Sequence, residues 1–333
     1  MSLTEFDLIG HYFKDRSATQ AGVVLGIGDD CAILDLPDGH HLAVSTDTLV
    51  GDVHFFADVD PYRLGCKALA VNLSDLAAMG ATPKWVSLAI TLPEVDAPWL
   101  AEFSRGFFEI ADKFNVSLVG GDTTKGPLSI TVSVKGIIPR GQALQRDHAV
   151  VGDLICVSGH LGDAGLGLAC KLKKITAAKD RVFINALELT EPRIELGILL
   201  RGLASSCIDL SDGLTQDLKH ILMASHCSAK LDLERLPLSD SLREEVQIGT
   251  LNQYAAYQYA LTGGDDYELL FTISVDHLAQ LNLLIEKGRI KTPIVTVIGA
   301  VTTLQTPLIE LFDHHKSVSL ALHGWDHFRQ GEN

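Results

Sequence analysis

The 333-residue chain is 47% hydrophobic and 21% charged, which suits two domains of roughly 100–200 residues each and excludes global disorder. Its 27 Lys and Arg against 42 Asp and Glu leave a net charge of -15, which argues against nucleic acid or an anionic membrane as the main partner. A phosphate substrate would have to be shielded by something other than protein charge.

The first half alternates strand and helix patterns. Val23–Leu25, Cys31–Leu34 and Leu42–Ser45 are short apolar runs that read as buried strands. Residues 63–79 have helical length and few breakers, and Trp85–Leu92 reads as a strand. Trp99, Phe103, Phe107, Ile110 and Phe114 recur at spacings of three and four, which predicts an amphipathic helix. Leu128, Ile130, Val132 and Val134 alternate with polar residues, as a half-exposed antiparallel strand does, so one face of its sheet is open or used for pairing. A second cycle starts near Asp153, with strands at 154–157, 268–274 and 295–298. Its helices are expected at 164–172, 195–203 and 214–223, the last capped by Ser211. The boundary falls near residues 140–152, giving domains 1–148 and 149–333, each α/β with its own sheet.

The six cysteines are scattered singly, without a C-x-x-C pair, so neither a disulfide framework nor a zinc site is expected. Residues 1–14 have no basic n-region, and no apolar run reaches about 18 residues. The expectation is a soluble cytoplasmic protein.

Aspartates fall in four small-residue stretches of the first half, each continuing an apolar run: Gly26–Asp30, Ser45-Thr46-Asp47, Asn72–Asp75 and Gly120–Thr123. Carboxylates at strand ends can converge, and hard oxygen ligands suit Mg²⁺. For any one of them the plain alternative is a turn or cap residue. Asp75 is the sharpest case. From Ala68 to Gly80 only Asn72, Ser74 and Asp75 are polar, so its carboxylate needs a metal or an internal salt bridge. Asp209-Leu210-Ser211-Asp212-Gly213 repeats the theme ahead of a helix, either as an anion site at its N-terminus or as an ordinary cap. The glycines at 159, 162, 165 and 167 suit a close backbone approach to phosphate or tight packing equally. No P-loop, H-E-x-x-H, G-x-S-x-G or complete dinucleotide fingerprint is present.

The stretches G-I-G-D-D-C-A-I-L (26–34), S-T-D-T-L-V-G-D-V-H-F (45–55), N-L-S-D-L-A-A-M-G-A (72–81) and G-G-D-T-T (120–124) resemble the bacterial thiamine-monophosphate kinase family. So do Arg146, V-S-G-H-L-G-D-A-G-L-G-L (157–168), Glu191-Pro192-Arg193, I-D-L-S-D-G-L (208–214), G-G-D-D-Y-E-L-L-F (263–271) and Gly324–Phe328. The resemblance spans nearly the whole chain. It implies ATP-dependent phosphorylation of thiamine monophosphate to thiamine diphosphate, the last step of that cofactor's synthesis. The implied fold is that of aminoimidazole ribonucleotide synthetase: two α/β (α+β) domains, each a mixed sheet packed with helices, in a homodimer joined through sheets of the first.

Carried over by position, Asp30, Ser45, Thr46, Asp47, Asp75, Asp122, Asp209 and Asp212 are expected to hold several Mg²⁺ ions. Gly121, Asp122, Arg146 and Ser211 are expected at ATP, and His54, Asp265 and Trp325 at the acceptor. The first domain would bind metal and ATP and form the dimer, and the second would complete the nucleotide and substrate site. Asp265 departs from the family, which has Glu there. No nucleophile or dedicated general base is assigned, because phosphoryl transfer needs positioning and charge neutralisation more than covalent help. The rivals are a metal-dependent phosphohydrolase, a non-catalytic nucleotide-binding protein and other enzymes of the superfamily. Selenophosphate synthetase would want an N-terminal Cys, and the hydrogenase-maturation member a Cys at the extreme C-terminus.

Overall fold

The computed structural model describes residues 9–14, 16, 21–27, 31–288 and 294–320. The chain divides into two compact units, Met1–Ala143 and Leu144–Asn333. Asp30 and Trp325 lie outside the described residues.

In the first unit, β1 (Val23–Leu25) and β2 (Ile33–Leu34) form a two-stranded ribbon. A four-stranded sheet follows, built from β3 (His40–Val50), β4 (Thr82–Leu92), β5 (Ser117–Lys125) and β6 (Ser129–Pro139) in the order β3-β6-β4-β5. Only the β4–β5 pair is parallel, which requires a crossover between them; helix α2 (Ala97–Lys113) makes it. Helix α1 (Pro61–Ala78) starts at Asp60, whose Oδ1 accepts the Tyr62 N–H at 2.9 Å, with Pro61 in the first turn. It is buried on nearly every side, including Leu64, Leu69, Leu73 and Leu76, as the few polar residues from Ala68 onward predict. α2 carries the three-four stripe: Phe103 and Phe107 are fully buried, and Trp99 stacks on Phe103 at 5.1 Å between centroids. Along β6 buried and half-buried residues alternate, so Ile130, Val132 and Val134 face the helices and Thr131 and Ser133 the open side. β3 is much longer than its apolar run, because its ladder with β6 continues from His40 to Val50 through Ser45-Thr46-Asp47.

The second unit is built on a seven-stranded sheet in the order β13-β12-β9-β11-β7-β10-β8. Its strands are β7 (Leu154–Ser158), β8 (Ala204–Asp209), β9 (Cys227–Asp232), β10 (Leu269–Ile273), β11 (Val295–Thr303), β12 (Ile309–Asp313) and β13 (Lys316–Val318). The helices are α3 (Asp163–Lys171), α4 (Asp180–Glu188), α5 (Ile194–Leu199), α6 (Leu214–Ala224), α7 (Asp240–Gln247), α8 (Gln253–Thr262) and α9 (Val275–Glu286). One core of Leu, Ile, Val and Phe side chains joins sheet and helices, with Phe183, Leu218, Leu261 and Leu270 at its centre. α5 stops at Leu199 rather than running on to residue 203, because the Leu203 and Ala204 N–H groups turn back onto the Leu200 carbonyl and Gly202 is left-handed. Ser211 is not the cap of α6. That position belongs to Gly213, which makes no side-chain cap bond, and the α6 residue Asp217 instead accepts the Asp212 N–H at 3.1 Å.

Candidate functional site

Three of the expected residues meet where β3 passes beneath α1. The Ser45 hydroxyl donates to Asp75 Oδ2 at 2.5 Å, and the Asp47 N–H donates to Asn72 Oδ1 at 3.0 Å. Asn72 is oriented by donating its Nδ2 hydrogen to the Ala68 carbonyl, at 3.0 Å one turn back in α1. The Asp47 carboxyl is pushed up to about 6 by partial desolvation, by the Asp75 charge and by a hydrogen bond with it. Two carboxyls and a hydroxyl that crowd one another, and so raise the proton affinity of Asp47, make a hard-oxygen donor set that fits Mg²⁺. Thr46 is exposed on the opposite face of β3.

The other acidic stretch does not join them. Asp122 pairs with Ala89, on the open face, whereas Asp47 shares its row with Val132 on the helix face. β3 and β5 are opposite edges of the sheet, so three strand spacings, about 14 Å, separate the two positions. One ion cannot bridge carboxylates so far apart within a single chain. Both lie inside strands rather than at strand ends. Gly121 approaches β4 so closely that a Cβ there would sit 1.8 Å from the Leu88 carbonyl oxygen. His54 follows β3, and its Nδ1 accepts the Val50 N–H at 3.0 Å, which places the ring hydrogen on Nε2.

In the second unit the end of β8 and the start of α6 gather Asp209, Asp212 and a residue not singled out from the sequence, Asp217. Burial, then Asp212, then Asp209 push the Asp217 carboxyl up to about 8, and the Arg146 charge opposes them. This is a second oxygen-rich donor set with a cation beside it. Ser211 adjoins this set, and its carbonyl accepts the Asp265 N–H at 2.9 Å. Asp265 lines a cavity of about 490 Å³ together with Asp163, Glu191, Arg193, Asp266 and Glu268. Burial raises the Asp163 carboxyl and holds that of Asp266 well above the ordinary range. Arg193 is already committed to Glu268, through paired bonds of 2.7 and 2.5 Å. The cavity therefore suits a cationic or donor-rich guest rather than a bare anion.

Residues 28–138 match the family described as AIR synthase related protein, N-terminal domain, and residues 150–304 match its C-terminal domain. Over 331 residues the chain is 46% identical to the thiamine-monophosphate kinase of Escherichia coli strain K12, covering 98% of this chain and 99% of the relative. The chain belongs to the thiamine-monophosphate kinase family. A crystal structure of the thiamine-monophosphate kinase of Stenotrophomonas maltophilia K279a superposes with a TM-score of 0.82 at 41% identity, covering 96% and 99% of the two chains. A second solved structure, AaThiL complexed with AMPPCP and TMP, superposes at 0.74 with 30% identity and 98% and 99% coverage.

Of the acids read from the sequence, α1 and β3 bring Asp75 and Asp47 together, β8 and the turn before α6 set Asp209 and Asp212 beside Asp217, and Asp122 stands apart on β5. Asp217 escaped notice because an acid in the first turn of a helix has an ordinary explanation in the helix dipole. Its distinguishing signal was the apolar company of Leu214, Leu218 and Ile221.

Proposed function

We propose that this chain transfers the γ-phosphoryl group of ATP directly to thiamine monophosphate, giving thiamine diphosphate and ADP. The observation that carries this reading is the pair of crowded carboxyl sets, Ser45/Asp47/Asp75 and Asp209/Asp212/Asp217, in a chain 46% identical over its length to a thiamine-monophosphate kinase. The relative solved with AMPPCP, an ATP analogue, and TMP supports the same pair of substrates.

Asp30, Ser45, Thr46, Asp47, Asp75 and Asp122 in the first unit, and Asp209 and Asp212 in the second, are the residues that would hold Mg²⁺. The ions would supply the positive charge that a chain of net -15 lacks, and orient phosphate oxygens for in-line transfer. Arg146 would meet ATP phosphates, and Gly121 and Ser211 would bring backbone and hydroxyl to the nucleotide. His54 would donate Nε2–H to the acceptor. The acidic cavity at Asp265 would take the cationic thiazolium and aminopyrimidine body, with Trp325 stacking on it. No side chain need remove a proton. The attacking group is a phosphate monoester whose second pKa is near 6, so it is already a dianion at neutral pH.

The active form in this reading is a homodimer joined through the open face of the first unit's sheet, where Leu42 and Val44 are 47% and 58% exposed on β3. Its place is the cytoplasm, a reading supported by six free thiols and by the lack, among the described residues, of a helix long and apolar enough to cross a membrane. The test is incubation with Mg·ATP and, in turn, thiamine, thiamine monophosphate and pyridoxal, scored for product mass. Thiamine diphosphate from the monophosphate alone is expected. ADP release that ignores the acceptor would overturn the reading in favour of a phosphohydrolase.

A further inference from the structure

We propose that Arg193 is a positioning residue for acceptor recognition: by clamping Glu268 it fixes the turn that presents Asp265 to the cavity. The inference rests on the reading of that cavity as the thiamine monophosphate site. The family resemblance includes Glu191-Pro192-Arg193 but attaches no role to it.

Between Gly264 and Glu268 two non-glycine residues stand in the left-handed region, Asp265 at φ 64° and Tyr267 at φ 48°. Side chains hold such a conformation only where their surroundings over-determine it. Along the backbone, the Asp265 N–H donates to the Ser211 carbonyl at 2.9 Å and the Tyr267 N–H to the Leu210 carbonyl at 2.7 Å. Asp266 accepts the Gly162 N–H. At the far end, the Glu268 carboxylate, whose side chain is 6% exposed, accepts Arg193 Nε–H at 2.7 Å, Arg193 Nη2–H at 2.5 Å and the Ser158 hydroxyl at 2.5 Å. It is pressed onto Gly159, where a Cβ would lie 1.9 Å from Oε1. Arg193 Nη1 reaches Glu191 at 3.3 Å, so the guanidinium engages Glu268 and Glu191 while Asp265 lines the cavity.

Two of the three side-chain donors on this buried carboxylate are therefore Arg193's, in the paired geometry that lysine cannot copy. Without the pair, Glu268 gains by turning toward water in the cavity, and Tyr267 and Asp265 move with it. The 209–213 loop keeps its own anchors, the β8–β10 ladder and the Asp217 bond to Asp212, so nucleotide contacts there are spared.

The test measures initial rates of thiamine diphosphate formation by the full chain, varying one substrate with the other saturating. Arg193→Lys should raise KM for thiamine monophosphate roughly tenfold, hold kcat within about twofold and leave KM for ATP unchanged. Glu268→Gln, which keeps shape but weakens the pair, should move the same constant about threefold. It carries the test if Arg193→Lys gives no cooperative melt. Unchanged KM for the acceptor in the folded variant would overturn the clamp, as would both KM values rising together or a fall in kcat alone. Wild-type protein that makes no thiamine diphosphate would instead overturn the acceptor reading itself, and the proposal with it.

Discussion

Asp75 combines a helix buried almost all round with a carboxylate that a 2.5 Å bond from Ser45 and the neighbouring Asp47 both engage. Asp75→Asn keeps the acceptor for Ser45 and removes the charge that raises Asp47. Turnover should therefore fall by about 100-fold or more, while the thermal midpoint in EDTA stays the same or rises. Near-normal turnover at low Mg²⁺, or a lost thermal transition, would refute the metal-ligand role. Asp217 makes the converse statement about pH. Its folded pKa, about 8, lies above the ordinary 3.8, so the folded state holds a proton that the unfolded chain has released. Stability from this group is full below about pH 4 and is lost as pH rises through 8. In EDTA, Asp217→Asn should melt about 5 °C or more above wild type at pH 8.5, with the gap closing toward pH 4. A gap independent of pH would contradict it. Both acids were visible as residues, but only Asp75 as an anomaly, because apolar neighbours on every side of a helix leave a charge unexplained and an acid in a first turn does not.

The strands show what local pattern conveys and what it omits. β6 was plain, since its alternation of apolar and polar residues is the alternation of faces itself. The extension of β3 through Ser45-Thr46-Asp47 was not, because a polar run in a strand is held by its partner's ladder rather than by its own propensity. The hairpin of β12 and β13 was missed for a related reason: both strands are short and close the edge of a sheet built from distant segments. Gly121 tests how tightly β5 is held. Replacing it with Ala would put a Cβ 1.8 Å from the Leu88 carbonyl oxygen, and its three nearest neighbours are all Leu88 backbone atoms, which cannot swing aside as a side-chain tip can. Gly121→Ala should destabilise the first unit by about 3 kcal/mol, pry β5 from β4, and lower ATP affinity through Asp122. A variant with unchanged hydrogen-exchange protection along β5 would show that the edge gives way more easily than this.

For the whole molecule the informative fact is that Asp47 and Asp122, neighbours in any reading by motif, stand on opposite edges and opposite faces of one sheet. Their separation follows from the strand order β3-β6-β4-β5, which no local pattern reveals. A homodimer paired through the open faces, as proposed, carries the partner's Asp122 row to the open side of the sheet, so Asp47, on the helix side, can share an ion with it only around the β3 edge. If each centre takes Asp47 from one copy and Asp122 from the other, two dead chains can make one live site. Chains carrying Asp47→Asn and Asp122→Asn, co-expressed with different tags and purified as the hybrid, place both lesions in one centre and leave the second intact. The hybrid should then turn over at about half the wild-type rate, as two-fold symmetry requires, while each parent homodimer is nearly inactive. If each centre instead draws both residues from one chain, every site in the hybrid carries a lesion. A hybrid as inactive as its parents would therefore assign Asp122 to a role apart from Asp47, and light scattering on the same sample would show whether the dimer itself had formed.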